Sequence, residues 1–157
     1  MTDSYFMKLA IGKAKTGIKK GQTPFGACIV KNGKVVSCAH NLVWKNTDIT
    51  AHAEINAIRQ ACKKLKSIDL SGCVIYSTCE PCPMCFSAIH WAKIYEIIYG
   101  TTINDAKKLG FNELTVSNRK LKSLGKSPLK IRGSVCRKEN LALFNDWKKL
   151  NRKNLLI

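Results

Sequence analysis

The feature that most constrains this chain is a set of metal-binding side-chain types divided between two short segments. The first segment is His52-Ala53-Glu54, and the second carries Cys82 and Cys85 in the run Pro-Cys-Pro-Met-Cys. Zinc prefers nitrogen and sulfur ligands, and a catalytic zinc keeps three protein ligands and one position open for water. The fold must therefore bring the two segments together, and the residue types predict that His52, Cys82 and Cys85 bind one zinc ion.

Two other kinds of site use a Cys-x-x-Cys pair, namely a redox pair and half of a structural zinc site. A redox pair would need a thioredoxin-like context, which the flanks of Cys82 do not supply. A structural site would need a fourth ligand, and neither His40 nor His90 stands in a ligand-like pair. A buried histidine near two core cysteines is the remaining alternative. The carboxylate of Glu54, placed to carry protons beside a bound water, favours an open catalytic site.

The hydrophobic pattern alternates helices with strands. It predicts helices over 3–20, 51–65, 82–92 and 139–151, and strands over 26–31, 34–43, 73–77, 96–99 and 130–135. Asn32-Gly33 predicts a tight hairpin between the first two strands. This order predicts an α/β domain in which helices cover a central sheet. Both metal segments would then lie at helix N-termini, where backbone N–H groups stabilise thiolates.

Length and composition predict one globular domain over residues 1–157. The chain has 157 residues, of which 45% are hydrophobic, so it can bury a core of its own. No apolar run approaches the length of a membrane span, and residues 1–4 do not begin a secretory signal. We therefore expect a cytoplasmic protein with free cysteines and no membrane partner.

The net charge of +17 can indicate a nucleic-acid partner. Residues 117–157 concentrate the excess, with 12 basic and 2 acidic side chains. Most of the cations are lysines, and arginine is the better reader of phosphates and base edges. A solvated basic surface is therefore favoured over an RNA-binding surface, and residues 117–157 form a basic segment that is a candidate for dimer contacts.

The residues around the ligands resemble a known family. The runs are Pro24-Phe25-Gly26-Ala27, Thr50-Ala51-His52-Ala53-Glu54 and Cys79-Glu80-Pro81-Cys82-Pro83-Met84-Cys85. They resemble the cytidine deaminase-like superfamily, whose signature is H-x-E with P-C-x-x-C, and within it most resemble bacterial guanine deaminases. The resemblance runs from about Phe6 to about Glu113. It implies a three-layer α/β/α sandwich with a five-stranded mixed sheet, a Zn²⁺ cofactor and a homodimer.

The same resemblance implies roles for individual residues. Glu54 would be the catalytic proton shuttle. Phe25 would line the base pocket, Asn41 would hydrogen-bond the base, and the Ala53 backbone amide would donate to it. Structural alternatives exist for two of them, because Phe25 could be a core residue at a strand start and Asn41 a turn residue at a strand end.

The run Gly110-Phe111-Asn112-Glu113 resembles the Gly-Phe and two acidic residues of guanine deaminases. Glu113 would accept hydrogen bonds from the N–H groups of guanine, although Asn112 departs from the family pattern and the run could be a polar turn. The implied reaction belongs to purine metabolism and converts guanine and water to xanthine and ammonia. The apolar end, Leu155-Leu156-Ile157, would dock on a partner subunit or on the chain's own core.

Three alternatives remain open. A transfer-RNA adenosine deaminase would share the ligand motifs and suit the charge, but such enzymes usually resemble Pro-Val-Gly-Ala where Pro24-Phe25-Gly26-Ala27 stands, and usually lack a residue like Pro83. Another nucleoside or base deaminase is a narrower rival. A zinc module without catalysis is disfavoured, because it has no use for Glu54.

Overall fold

The structure, a computed structural model, describes residues 1–150 as alternating helices and strands. The helices are α1 (Asp3–Lys19), α2 (Val43–Asn46), α3 (Ala53–Leu65), α4 (Pro83–Trp91), α5 (Ile103–Lys108), α6 (Asn118–Leu124) and α7 (Arg137–Leu150). The strands are β1 (Gly26–Lys31), β2 (Lys34–His40), β3 (Cys73–Cys79), β4 (Glu96–Thr101) and β5 (Lys130–Arg132). The expected contact of Leu155-Leu156-Ile157 lies outside the described residues.

Within residues 1–150, five strands form one mixed sheet in the order β2-β1-β3-β4-β5. Strand β1 pairs antiparallel with β2 and β3, whereas β3, β4 and β5 run parallel. Asn32 and Gly33 both have positive φ at the β1–β2 connection, as the predicted tight hairpin requires. The predicted five-stranded mixed sheet of the deaminase-like fold is therefore confirmed.

Side chains that alternate along the central strands pack into two layers, one on each face of the sheet. Ile75 and Ile97 belong to the core that α3 and α4 cover. Tyr76 and Ile98, one residue further along, belong to the core that α1 and α7 cover. Helices thus cover both faces, which confirms the three-layer α/β/α arrangement.

The first strand approaches α1 so closely that it needs glycine. A Cβ on Gly26 would meet the backbone oxygen of Ala10 and would lie 2.7 Å from the backbone nitrogen of Ala14. The N–H of Gly26 also donates to Thr78 Oγ1 at 3.0 Å. Helix α1 and strand β3 therefore fix the chain at Gly26, and with it the neighbouring Phe25.

Several element boundaries differ from the prediction. Strand β2 ends at His40, so its predicted extension to residue 43 is wrong. The reason is local, because Asn41 Oδ1 accepts the Val43 N–H at 3.0 Å and the chain turns into α2. Strands β3 and β4 each run two residues further than predicted. Helices α2, α5 and α6 were not predicted.

None of the helices between residues 1 and 150 combines the length and the apolar character that a membrane span requires.

We expect Gly26→Ala to lower the free energy of unfolding by about 1–3 kcal/mol, because the new methyl group overlaps backbone atoms of α1. The matched control is Gly12→Ala in α1, where nothing lies within 4 Å of the added Cβ. That change should stabilise the protein by about 0.5–1 kcal/mol. Urea unfolding of both variants measures the difference, and equal stability would contradict the close approach.

Candidate metal centre and active site

The proposed ligands converge because two helices begin beside each other at one edge of the sheet. His52 is the N-cap residue of α3, and Cys82 is the N-cap residue of α4, which follows β3. Both have extended backbone conformations, with ψ of 159° and 166°. Cys85 lies in the first turn of α4 and is fully buried. The predicted placement at two helix N-termini is therefore present in the structure.

The side chains of His52, Cys82 and Cys85 form a compact cluster, the metal group. His52 Nδ1 lies 3.6 Å from the sulfur of Cys82 and 3.6 Å from that of Cys85. All three candidate ligand atoms lie within 4.8 Å of one another. Zn–N bonds of about 2.0–2.1 Å and Zn–S bonds of about 2.3 Å at a tetrahedral angle would separate nitrogen from sulfur by about 3.6 Å. The donor types and spacings therefore fit zinc, and these residues could hold a metal ion.

The charges of the two thiols also favour a cation. A hydrogen bond from Cys85 lowers the pKa of Cys82 to about 4, which favours its thiolate form. The same contact, together with burial, raises the pKa of Cys85 well above its ordinary value, because a second thiolate would be repelled by the first. A divalent cation between the two sulfurs would remove that repulsion. His52 belongs to the same group. Burial, the largest single influence, lowers its pKa, but the contact with Cys82 and the negative charges of Glu54, Cys82 and Glu113 together raise it.

Glu54 lies in the first turn of α3 and is buried beside His52 and Cys85. Its Oε1 accepts a hydrogen bond from Ser77 on β3 at 2.8 Å. Its Oε2 lies 3.6 Å from the sulfur of Cys85. Burial raises the pKa of the Glu54 carboxyl, although the bond from Ser77 opposes the shift. A carboxyl group with a raised pKa, fixed at one oxygen and close to the metal group at the other, is suited to moving protons.

A cavity of about 360 Å³ opens onto this group, a size at the lower end for small-molecule sites. His52, Glu54 and Cys82 contribute to its wall. The other lining residues are Thr23, Phe25, Asn41, Val43, Ile49, Cys79, Glu80, Pro83, Met84, Phe111, Asn112, Glu113 and Leu114. The predicted base-contacting side chains of Phe25, Asn41 and Glu113 thus share one cavity with the metal group.

Phe25 and Asn41 have structural contacts as well as places in the cavity wall. The ring of Phe25 packs against Phe111 with centroids 5.0 Å apart and against Phe144 at 6.0 Å. Asn41 is 4% exposed, and its Oδ1 is occupied by Val43. The group that Asn41 can offer to a base is therefore its Nδ2 donor. Ala53 places its side chain in the core, so only its backbone amide could act as predicted.

Glu113 reaches the cavity on a segment without helix or strand, between the end of α5 and the start of α6. Gly110 turns the chain with a φ of +99°, and the Glu113 N–H donates to the Phe111 carbonyl at 2.9 Å. Burial, together with the negative charge of Cys82, raises the pKa of Glu113 to about 7. Both carboxylate and neutral forms are therefore accessible near neutral pH.

Sequence reasoning missed Ser77, the partner of Glu54, because only the register of β3 places it beside α3. It also missed the cavity walls formed by Thr23, Ile49 and Leu114. Ile49 and Leu114 are exposed apolar residues that line the cavity, and sequence periodicity does not mark such positions.

Comparison with known proteins identifies relatives of this chain. Residues 1–101 match the family described as "Cytidine and deoxycytidylate deaminase zinc-binding region". The guanine deaminase of Bacillus subtilis is 43% identical over 114 residues, 72% of this chain and 73% of that protein. The tRNA-specific adenosine deaminase of Buchnera aphidicola subsp. Schizaphis graminum is 34% identical over 150 residues, 96% of each chain.

Solved structures of both kinds of deaminase also resemble this chain. The X-ray structure of the Bacillus subtilis guanine deaminase has a TM-score of 0.70 at 43% identity, and the match covers 72% of this chain and 73% of that one. A structure from a study of A-to-I editing by tRNA:A34 deaminases has a TM-score of 0.79 at 30% identity. That match covers 89% of this chain and 99% of the other.

We expect the purified protein to contain about one zinc per chain, because three ligands form one site. Cys82→Ser and Cys85→Ser should each lose most of it, since a serine hydroxyl is a poor zinc ligand at neutral pH. Cys136→Ser, outside the group, is the matched control and should retain it. Elemental analysis measures the content. Full zinc in both ligand variants would show that the assignment is wrong.

Proposed function

The chain belongs to the cytidine and deoxycytidylate deaminase family, and from that premise we propose that it is a zinc-dependent guanine deaminase. The reaction would convert guanine and water to xanthine and ammonia. The observation that carries the choice of base is the carboxylate of Glu113 in the same cavity as Glu54 and the metal group. A carboxylate only accepts hydrogen bonds, and guanine presents adjacent N–H donors on its ring and amino group.

His52, Cys82 and Cys85 would hold the zinc, with one coordination position left for water. When bound, zinc would supply a nucleophile at neutral pH by lowering the pKa of that water to about 7. The chain's own residues do the remaining work. Their tasks are to orient the base, to exclude bulk water from the cavity and to move protons.

Glu54 is the residue that would move the protons. Ser77 holds Oε1, which leaves Oε2 on the side of Cys85 and the metal group. Oε2 would take a proton from the attacking water. It would deliver that proton to the ring nitrogen beside the reacting carbon. It would then take the second proton of the water from the hydroxyl group formed on that carbon and pass it to the departing amino group, which leaves as ammonia. The raised pKa of Glu54 makes its protonated form more accessible than that of an ordinary glutamate, which suits a group that takes up and releases protons.

Three side chains would orient the base. Glu113 would accept from its N–H groups, Asn41 Nδ2 would donate to an acceptor on its edge, and the ring of Phe25 would pack against its face. Adenine presents an acceptor where the guanine ring presents N–H, so a carboxylate at this position disfavours adenine. An unpaired polar group in such a cavity costs enough to set specificity.

A tRNA adenosine deaminase is the second candidate, and a specific observation favours it. The relative from Buchnera aphidicola matches 96% of this chain, whereas the guanine deaminase match covers 72%. The net charge of +17 would suit a polyanionic substrate. An ammonia-release screen across guanine, guanosine, other bases and transfer RNA separates the two. Release from transfer RNA but not from guanine would replace our proposal.

The homodimer, the cytoplasmic location and a basic segment over residues 117–157 in dimer contacts stay predictions. Light scattering of the full chain measures the subunit count.

Glu54→Gln should keep the zinc and the fold but lower kcat by about 10²–10⁴, because the amide cannot carry the proton. Elemental analysis and steady-state kinetics on the same preparation separate the two effects. Glu139→Gln, an exposed change on α7, is the control. Near wild-type turnover in Glu54→Gln would mean that another group moves the protons.

Glu113→Gln should raise the KM for guanine at pH 8 by about tenfold or more, because one charged acceptor is lost. In the wild type, protonation of Glu113 below its pKa of about 7 removes the same acceptor. The KM for guanine should therefore rise as the pH falls from 8 to 6. The variant should lack that rise, and a KM with the same pH dependence in both proteins would contradict the role of Glu113.

A further inference from the structure

Glu80 is a buried carboxylate that the reaction does not use. It directly precedes Pro81 and Cys82, it is 6% exposed, and it lines the cavity. Its own N–H donates to the Thr101 carbonyl at 2.7 Å, which fixes it to the end of β4. It does not belong to the group of candidate metal ligands found within residues 1–150.

The two oxygens of Glu80 bind backbone groups in two different places. Oε1 accepts the Asn118 N–H at 2.8 Å, and Oε2 accepts the Ile103 N–H at 3.2 Å. Ile103 is the first residue of α5 and Asn118 is the first residue of α6. One carboxylate thus accepts the backbone N–H groups of the first residues of two separate helices. Such N–H groups have no partner inside their own helix.

A second contact strengthens the connection at Asn118. Its Nδ2 donates to the Pro81 carbonyl at 2.6 Å, and its side chain is fully buried. Asn118 is therefore bonded twice to the dipeptide that precedes Cys82. The metal-binding turn and the beginning of α6 form one hydrogen-bonded unit.

Ile103 and Asn118 enclose the segment that carries Glu113. Residues 112–117 have neither helix nor strand. The Glu113 N–H donates to the Phe111 carbonyl and the Val116 N–H to the Leu114 carbonyl, and both acceptors lie between Ile103 and Asn118. The ring of Phe111 packs against Phe25 and Trp147 with centroids 5.0 Å apart in each case. That ring and the attachments at Ile103 and Asn118 help to set the position of Glu113 over the cavity, and the ion pair of Asp105 with Arg137 holds the α5 end of the segment as well.

We propose that Glu80 is a positioning residue for base recognition, because it fixes the Glu113 segment at a set distance from the metal group. The choice of guanine as the base rests on the proposed function, whereas the attachment itself does not. Removal of the Glu80 carboxylate should loosen residues 104–117 and misplace Glu113, with His52, Cys82 and Cys85 still together.

Glu80→Gln tests this in the zinc-loaded full chain, with Glu139→Gln as the matched control. An amide offers one acceptor in place of two. Hydrogen exchange across residues 104–117 should therefore be faster by about tenfold or more, with zinc content unchanged. On the base that the ammonia-release screen identifies, KM should rise by about tenfold while kcat falls less. Glu80→Asp, which keeps the charge, should recover part of the loss.

If Glu80→Gln does not fold, Asn118→Ala replaces it, because this change keeps the backbone bond to Glu80 and removes only the bond to Pro81. It should give a smaller rise in exchange and in KM. Unchanged exchange over 104–117 in folded protein would overturn the positioning role. So would a fall in kcat with KM unchanged. Inactivity of the wild type on guanine would instead overturn the proposed function, and the exchange data would still decide the role of Glu80.

Discussion

The central constraint on the structure is that His52 Nδ1 and the sulfurs of Cys82 and Cys85 must lie close enough together to bind one ion. His52 lies 30 and 33 positions before the two cysteines, yet its Nδ1 is 3.6 Å from each sulfur. Two helices that begin side by side meet this requirement, and their N-cap residues have extended backbones whose side chains lie next to each other. Strand β3 and its neighbours hold the helix starts in place. The packed sheet therefore determines the precision of the metal group.

Charge is distributed unevenly over the molecule. The chain has a net charge of +17, yet three of its ten acidic side chains, Glu54, Glu80 and Glu113, line one cavity. Each is buried or half-buried, so each interacts strongly with what enters. Such a cavity attracts a metal cation and hydrogen-bond donors, and it disfavours an anionic group. A neutral base is a better occupant than a phosphate, which would have to stay at the basic outer surface.

Residue types and local patterns predicted most strands and the long helices, because each depends on nearby residues, whereas the five-stranded mixed sheet was implied by the family resemblance. The ligand set stays a prediction that rests on residue types. Asn32-Gly33 could only make a tight turn, and His52, Cys82 and Cys85 have few other uses in this combination. The rest depends on contacts between distant residues. Helices α5 and α6 are short and begin where Glu80 binds them, and Ser77 meets Glu54 only through strand register. The family match also ends at residue 101, before Glu113, so it reports on the metal side of the cavity.

The attachment of the Glu113 segment at Ile103 and Asn118 has an evolutionary consequence. Between these two points, residues can be exchanged or inserted without moving the candidate ligands His52, Cys82 and Cys85. Substrate preference can then drift while the chemistry stays under strict selection. One scaffold can in this way give rise to lineages that act on different bases, and close kinship along the first hundred residues is a poor guide to which base a descendant has adopted.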